Sequence, residues 1–149
     1  MIPRLRLARV AEYEPPPYGD EPARHPDQLA EWLRTLIDPD NDTVSESFWV
    51  LHLDARNQII GCVRQSEGGW SGAVVKPREV FAAALLNGAQ AIVIAHNHPS
   101  GDPTPSHQDR QLTNQLCEAG KLLGVKLLDH IVLGTPGGYL SFRESGLLD

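Results

Sequence analysis

His96 and His98 stand one residue apart at the end of an apolar run, Ala91 to Ala95. Side chains two apart in an extended segment project to the same side, so the two imidazoles can converge on one point. Pro99, Ser100, Gly101, Asp102, Pro103, Thr104 and Pro105 follow as a turn-rich loop that brings the chain back. Ser106 and Asp109 then have the spacing of a capping box and predict a helix start. Two histidines and a carboxylate, supplied by a strand end and a helix start, make a three-ligand zinc site. The fourth tetrahedral position is left for water, the design of a catalytic rather than a structural zinc. Taken alone, Ser106 and Asp109 are explained by helix capping with no metal. The histidines upstream reverse that preference, and the two roles are compatible, because a helix start holds its carboxylate still.

These residues also carry a resemblance. Two histidines around one residue, then seven residues, a serine, two residues and an aspartate is the pattern of the JAMM (MPN+) metalloproteases. The fuller string HNHPSGDPTPS, with PREVF before it and LLDHIVLG after it, is similar to the bacterial RadC-like branch of that group. The similarity runs from about Thr43 to Asp149. It implies zinc (Zn2+) held by His96, His98 and Asp109, with Ser106 helping to hold an oxyanion. It also implies a general-base glutamate on an early strand, in the context E-x-F-x-V-L-x-L-D, which here is Glu46 to Asp54. Spacing does not separate Glu46 from Glu67 or Glu79, and a solvated charge at a strand end explains Glu46 equally well. The family pattern selects Glu46. Gly69 and Trp70 depart from the Gly-Thr usual in RadC-like sequences, which weakens any assignment of substrate contacts in that loop.

The function the resemblance implies is zinc-dependent hydrolysis of a peptide or isopeptide bond in an unknown protein or peptide substrate. The rival is a non-catalytic interaction or DNA-repair-associated module with a structural zinc. Cytidine deaminases share the implied fold, but their chemistry needs H-x-E and P-C-x-x-C, and neither is in this chain. The letters His96-Asn97-His98 spell the name of a nuclease motif whose three residues are dispersed over a hairpin and helix, so the match is one of spelling only.

Elements must position this site, and the chain reads as follows. Residues 1–42 form a unit of an N-terminal strand (Pro3 to Val10), a proline-rich arm (Glu12 to Pro26) and a helix from Asp27, its N-cap, to about Ile37. Residues 43–149 form the JAMM-like domain. Ser45 to Leu53 and Gln58 to Arg64 predict a hairpin, with Glu46 on the face of Phe48 and Val50. A glycine-rich loop, Glu67 to Gly72, leads through a short strand to Val75. Pro77 opens a helix whose stripe is Val80, Phe81, Ala84 and Leu85, stopped by Gly88, and Glu79 suits its positive end. Gln90 to Ala95 predicts a buried central strand. A helix from Ser106 to about Leu123 buries Leu112, Leu116, Ala119 and Leu123, with Gly124 as its stop and His107 turned to solvent. Val125 to Gly134 and Tyr139 to Phe142 form the last pair of strands. Asp129 and His130 fall mid-strand, where a buried, structurally bonded histidine is the default, a place behind the ligands or facing substrate is the lesser option, and neither residue is counted in the ligand set. The expected fold class is α/β, a single mixed β-sheet flanked by helices, the JAMM/MPN (cytidine-deaminase-like) fold.

Composition limits the partners. A 149-residue chain with 41% hydrophobic residues can bury a proper core. A net charge of -6 opposes broad binding to nucleic acid or anionic membrane. Cys62 and Cys117 lie far apart and fit small buried or half-buried thiols in a reducing compartment. Met1 to Val10 alternates charge with apolar residues, unlike a secretion leader, and no segment suits a bilayer. The expected location is the cytoplasm.

Overall fold

Residues 1–3, 14, 16, 22–36, 46–67 and 75–148 are described by a computed structural model. Their elements are α1 (Pro26–Leu36), β1 (Ser47–Leu53), β2 (Ile59–Glu67), α2 (Pro77–Leu86), β3 (Ala91–His98), α3 (His107–Leu123), β4 (Lys126–Gly134) and β5 (Tyr139–Ser141), with a 3-10 turn at Pro22–Arg24. Among these residues the strands form one mixed sheet in the order β2-β1-β3-β4-β5. β3 and β4 run parallel, joined by α3, and the other neighbours are antiparallel. A parallel pair needs a long crossover, and the helix after the histidine loop supplies it.

The two faces of the sheet bury different helices. Leu29, Ala30, Trp32, Leu33 and Leu36 of α1 pack on Trp49, Leu51, Val93, Ala95, Ile131 and Leu133. On the other face Val80, Phe81 and Ala84 of α2, with Leu112 and Leu116 of α3, pack on Phe48, Val50, Ile92 and Ile94. Strand residues alternate between faces, which is why odd and even positions of β1 and β3 separate so cleanly. A sheet covered on both sides has almost wholly apolar strands: every residue of β1 is buried.

Several boundaries differ from the sequence expectation. β3 continues past Ala95 through His98, because both neighbouring strands supply partners: His96 pairs with Phe48 of β1 and with Val132 of β4. β1 begins at Ser47, so Glu46 immediately precedes it. α1 begins at Pro26, with the Leu29 N–H donating to the His25 carbonyl at 2.8 Å, so Asp27 lies in the first turn instead of capping it. Leu85 and Leu123 belong to helical stripes by spacing, yet both are exposed, each falling in the last turn of its helix. The expected strand over 3–10, most of the proline-rich arm and the loop over 68–72 lie outside the described residues. Among the described residues, no helix is long and apolar enough to cross a membrane.

Candidate metal centre

β3 delivers two imidazoles to the same face, that of Ile92 and Ile94, at the end of the strand nearest α3. α3 delivers the carboxylate. Its N-cap Ser106 accepts the Asp109 N–H on Oγ at 3.1 Å, and Asp109 Oδ2 accepts the Ser106 N–H at 2.8 Å. The reciprocal cap therefore exists and, with the helix start, holds the carboxylate in place. His96 Nε2 lies 3.2 Å from Asp109 Oδ1, His98 Nε2 lies 3.2 Å from Asp109 Oδ2, and the two Nε2 atoms are 3.0 Å apart. One ligating atom from each residue falls within 4.8 Å of the others, so the three could hold a metal ion. The donor set, two imidazole nitrogens and one carboxylate, suits zinc.

His98 reaches the site in a defined tautomer. Its Nδ1 is 2.8 Å from the Asp102 carbonyl, which can only accept, so Nδ1 carries the proton and Nε2 presents a lone pair inward. The loop is held for this contact by Asp102 Oδ1, which accepts the Thr104 N–H at 2.9 Å. Close backbone packing adds to it. A Cβ on Gly134 would lie 2.2 Å from the Gly101 carbonyl oxygen, and one on Gly101 would lie 2.6 Å from that of Pro136.

The electrostatics fit a cation. Burial alone would raise the Asp109 carboxyl, but the His96 and His98 imidazoles against it and the Ser106 N–H hold it well below the ordinary carboxylate range. The Asp109 carboxylate beside it raises His98, whereas burial lowers His96. His96 and Asp109 are each 1% exposed.

Glu46 immediately precedes β1, whose antiparallel register with β3 ends at the pairing of Phe48 with His96. The next contact inward is made by Asn97, whose Oδ1 accepts the Ser47 N–H at 2.7 Å while its Nδ2 donates to Thr135 Oγ1 at 3.2 Å. Glu46 is half-buried, and burial raises its carboxyl, opposed by His98 and reinforced by the charge of Asp109. Its carboxyl is thus within electrostatic reach of two of the three candidate ligands. Ser106 is exposed beside Asp109; its Oγ accepts in the cap, which leaves the O–H as a donor. His107 is exposed, as its position in the helix predicts, and Glu79 is exposed in the first turn of α2.

Sequence reasoning passed over one residue. His130, assigned a structural default, is 0% exposed, and its Nε2 lies 2.8 Å from His96 Nδ1. Its Nδ1 lies 2.7 Å from Thr113 Oγ1, and Phe142 stacks on its ring at 4.5 Å. Burial lowers its basicity far below that of an ordinary histidine. The signal in the sequence was a histidine inside an apolar strand; the parallel pairing of Ile94 with His130, which puts it beside His96, was not readable there. Asp129, its neighbour, faces the other way and accepts from Ser141 Oγ at 2.5 Å and the Arg143 N–H at 3.0 Å, a structural role.

The model of one protein family, described as the RadC-like JAB domain, matches residues 23–147. The chain is 52% identical over 103 residues to a UPF0758 protein of Symbiobacterium thermophilum, covering 69% of this chain and 44% of that one. It is 51% identical over 107 residues to a UPF0758 protein of Trichlorobacter lovleyi, covering 72% and 46%. To a UPF0758 protein of Methanosarcina acetivorans it is 46% identical over 103 residues, covering 69% and 44%. The chain thus spans a little under half the length of these curated relatives.

Proposed function

The chain belongs to the RadC-like JAB domain family, and from that membership we propose that it is a zinc-dependent hydrolase of the JAMM type, cleaving a peptide or isopeptide bond. The observation that carries the reading is the convergence of His96, His98 and Asp109, with the Glu46 carboxyl within electrostatic reach of His98 and Asp109. A structural zinc needs four protein ligands, and among the described residues this group contains three. Zinc in such a site supplies Lewis acidity, polarising a carbonyl and bringing the pKa of a water toward neutrality.

The chain's own residues supply the rest. Glu46 accepts the proton of the attacking water and returns it to the leaving amine, which requires a carboxylate near the attacked carbonyl. Its half-buried setting raises its proton affinity, which favours the first half of that transfer. Ser106 donates its O–H to the developing oxyanion, a contribution of roughly 2–4 kcal/mol for a well-placed donor. The cap holds its oxygen while leaving that proton available. A protein or peptide in a reducing, cytoplasmic setting is the proposed substrate, consistent with the two half-buried thiols of Cys62 and Cys117.

Zinc titration of the chelator-treated protein, followed by a screen of peptide and isopeptide substrates, tests the proposal. One zinc per chain is expected, lost in the His96→Ala, His98→Ala double variant together with hydrolysis. A double variant that keeps full zinc stoichiometry would remove the basis of the assignment.

A further inference from the structure

Thr113 and His130 form a buried chain of hydrogen bonds between two of the candidate ligands. Thr113 Oγ1 lies 2.7 Å from the Asp109 carbonyl oxygen and 2.7 Å from His130 Nδ1; His130 Nε2 lies 2.8 Å from His96 Nδ1. Thr113 and His130 are 1% and 0% exposed, so each contact is made without solvent. The chain begins on one ligand residue, Asp109, and ends on another, His96.

Its direction follows from one atom. A carbonyl oxygen only accepts, so the single Thr113 O–H points at Asp109. Thr113 Oγ1 then has only lone pairs to offer His130, and two acceptors 2.7 Å apart repel, so His130 Nδ1 carries a proton and donates. A neutral His130 consequently has a lone pair on Nε2, which accepts from His96 Nδ1–H. That leaves the His96 lone pair on Nε2, facing Asp109 Oδ1 and His98 Nε2.

We infer that Thr113 and His130 are positioning residues that set the tautomer of His96 from the backbone carbonyl of Asp109. The inference rests on the reading of His96 as a zinc ligand through Nε2. His98 is set in the same way, by the Asp102 carbonyl directly. Both imidazoles therefore present lone pairs inward before any ion arrives, toward the point where the Asp109 carboxylate also converges, which is the arrangement a cation needs. The reverse arrangement, with the proton on His96 Nε2, would have to run His130 Nε2–H toward His96 and leave Thr113 with one proton for two acceptors. Ring stacking by Phe142 further keeps His130 from turning.

Two measurements test this on the full chain. Two-bond proton–nitrogen correlation of the histidine rings, in metal-free protein, is expected to find His130 and His96 both protonated on Nδ1 alone. A proton on His96 Nε2, or on His130 Nε2, overturns the relay. The second is zinc affinity by competition with a chromophoric chelator. His130→Phe keeps the ring against Phe142 but removes both nitrogens, and is expected to weaken zinc by roughly 10–100-fold. Thr113→Val should shift it in the same direction. Unchanged affinity in both variants overturns the relay, and if either variant fails to fold, the nitrogen spectrum of the unsubstituted chain still decides. Hydrolysis enters neither measurement. An inactive chain with these tautomers would end the proposed function and leave the relay standing.

Discussion

At the scale of single residues, Glu46 carries the sharpest consequences. Folding raises its carboxyl, chiefly by burial, so the protonated form is favoured in the folded state. Stability from that group is fully present below the unfolded pKa and is lost as pH rises through the folded value. At neutral pH an ionised Glu46 therefore costs stability, and metal-free Glu46→Gln should melt slightly above the unsubstituted protein. The gap should close on acidification below the ordinary carboxylate range, where both side chains are neutral. The same substitution should keep zinc yet reduce hydrolysis by roughly 100 to 10,000-fold, because an amide cannot take the proton. Paired melts and rates settle it: full activity in Glu46→Gln would remove the base role. Asp109→Asn separates the two jobs of Asp109. An amide oxygen can still accept the Ser106 N–H, so unfolding should cost no more than about 1 kcal/mol. Zinc titration should nevertheless show the affinity largely gone.

At the scale of elements, glycines serve this fold in two physically different ways. Gly124 ends α3 at φ 72° with nothing within 4 Å of a built Cβ, so only the left-handed backbone resists a side chain. Gly124→Ala should cost about 1 kcal/mol and leave zinc binding alone. A Cβ on Gly134 would lie 2.2 Å from the Gly101 carbonyl oxygen, so an alanine must displace the loop that carries Asp102. Gly134→Ala should weaken zinc as well as stability, since the Asp102 carbonyl holds His98. Equal effects of the two alanines on zinc affinity would contradict this. α1 reaches the same loop from the far side of the sheet. Arg34 Nη1 donates to the Gly134 carbonyl at 2.8 Å and Nη2 to that of Gly138 at 2.9 Å, bracing the turn on which Gly101 rests.

At the scale of the whole molecule, the sheet stands between two apolar layers, and the site occupies one of them. Leu33 of α1 is 1% exposed and lies in the layer away from the site. Leu33→Ala should destabilise by about 2–5 kcal/mol, the usual cost of such a cavity. Zinc affinity of the still-folded protein should barely change, because no candidate ligand touches that layer. A large loss of affinity at temperatures where the variant is folded would show that α1 sets the site more directly than through Arg34. The helix that sequence grouping assigned to residues 1–42 thus packs into the core of the sheet, and the family match begins at residue 23.

The sequence by itself determined the candidate metal group of His96, His98 and Asp109, the mixed α/β architecture and the cap that holds Asp109. All three follow from short-range chemistry: period-two projection from a strand, helical spacing of apolar residues, and a capping box whose partners stand three residues apart. The choice of Glu46 over other glutamates came from a family pattern and not from spacing. Tertiary structure decided what depends on register between distant segments. The antiparallel pairing of Phe48 with His96 brings the start of β1, and Glu46 just before it, to the ligand end of β3, and the parallel pairing of Ile94 with His130 brings a histidine from 34 residues away against His96. A strand's own residues fix which face a side chain takes, but not which neighbour it meets. That is set only when strands pair, and it is why His130 reads as an ordinary buried histidine in the sequence and stands behind a candidate ligand in the fold.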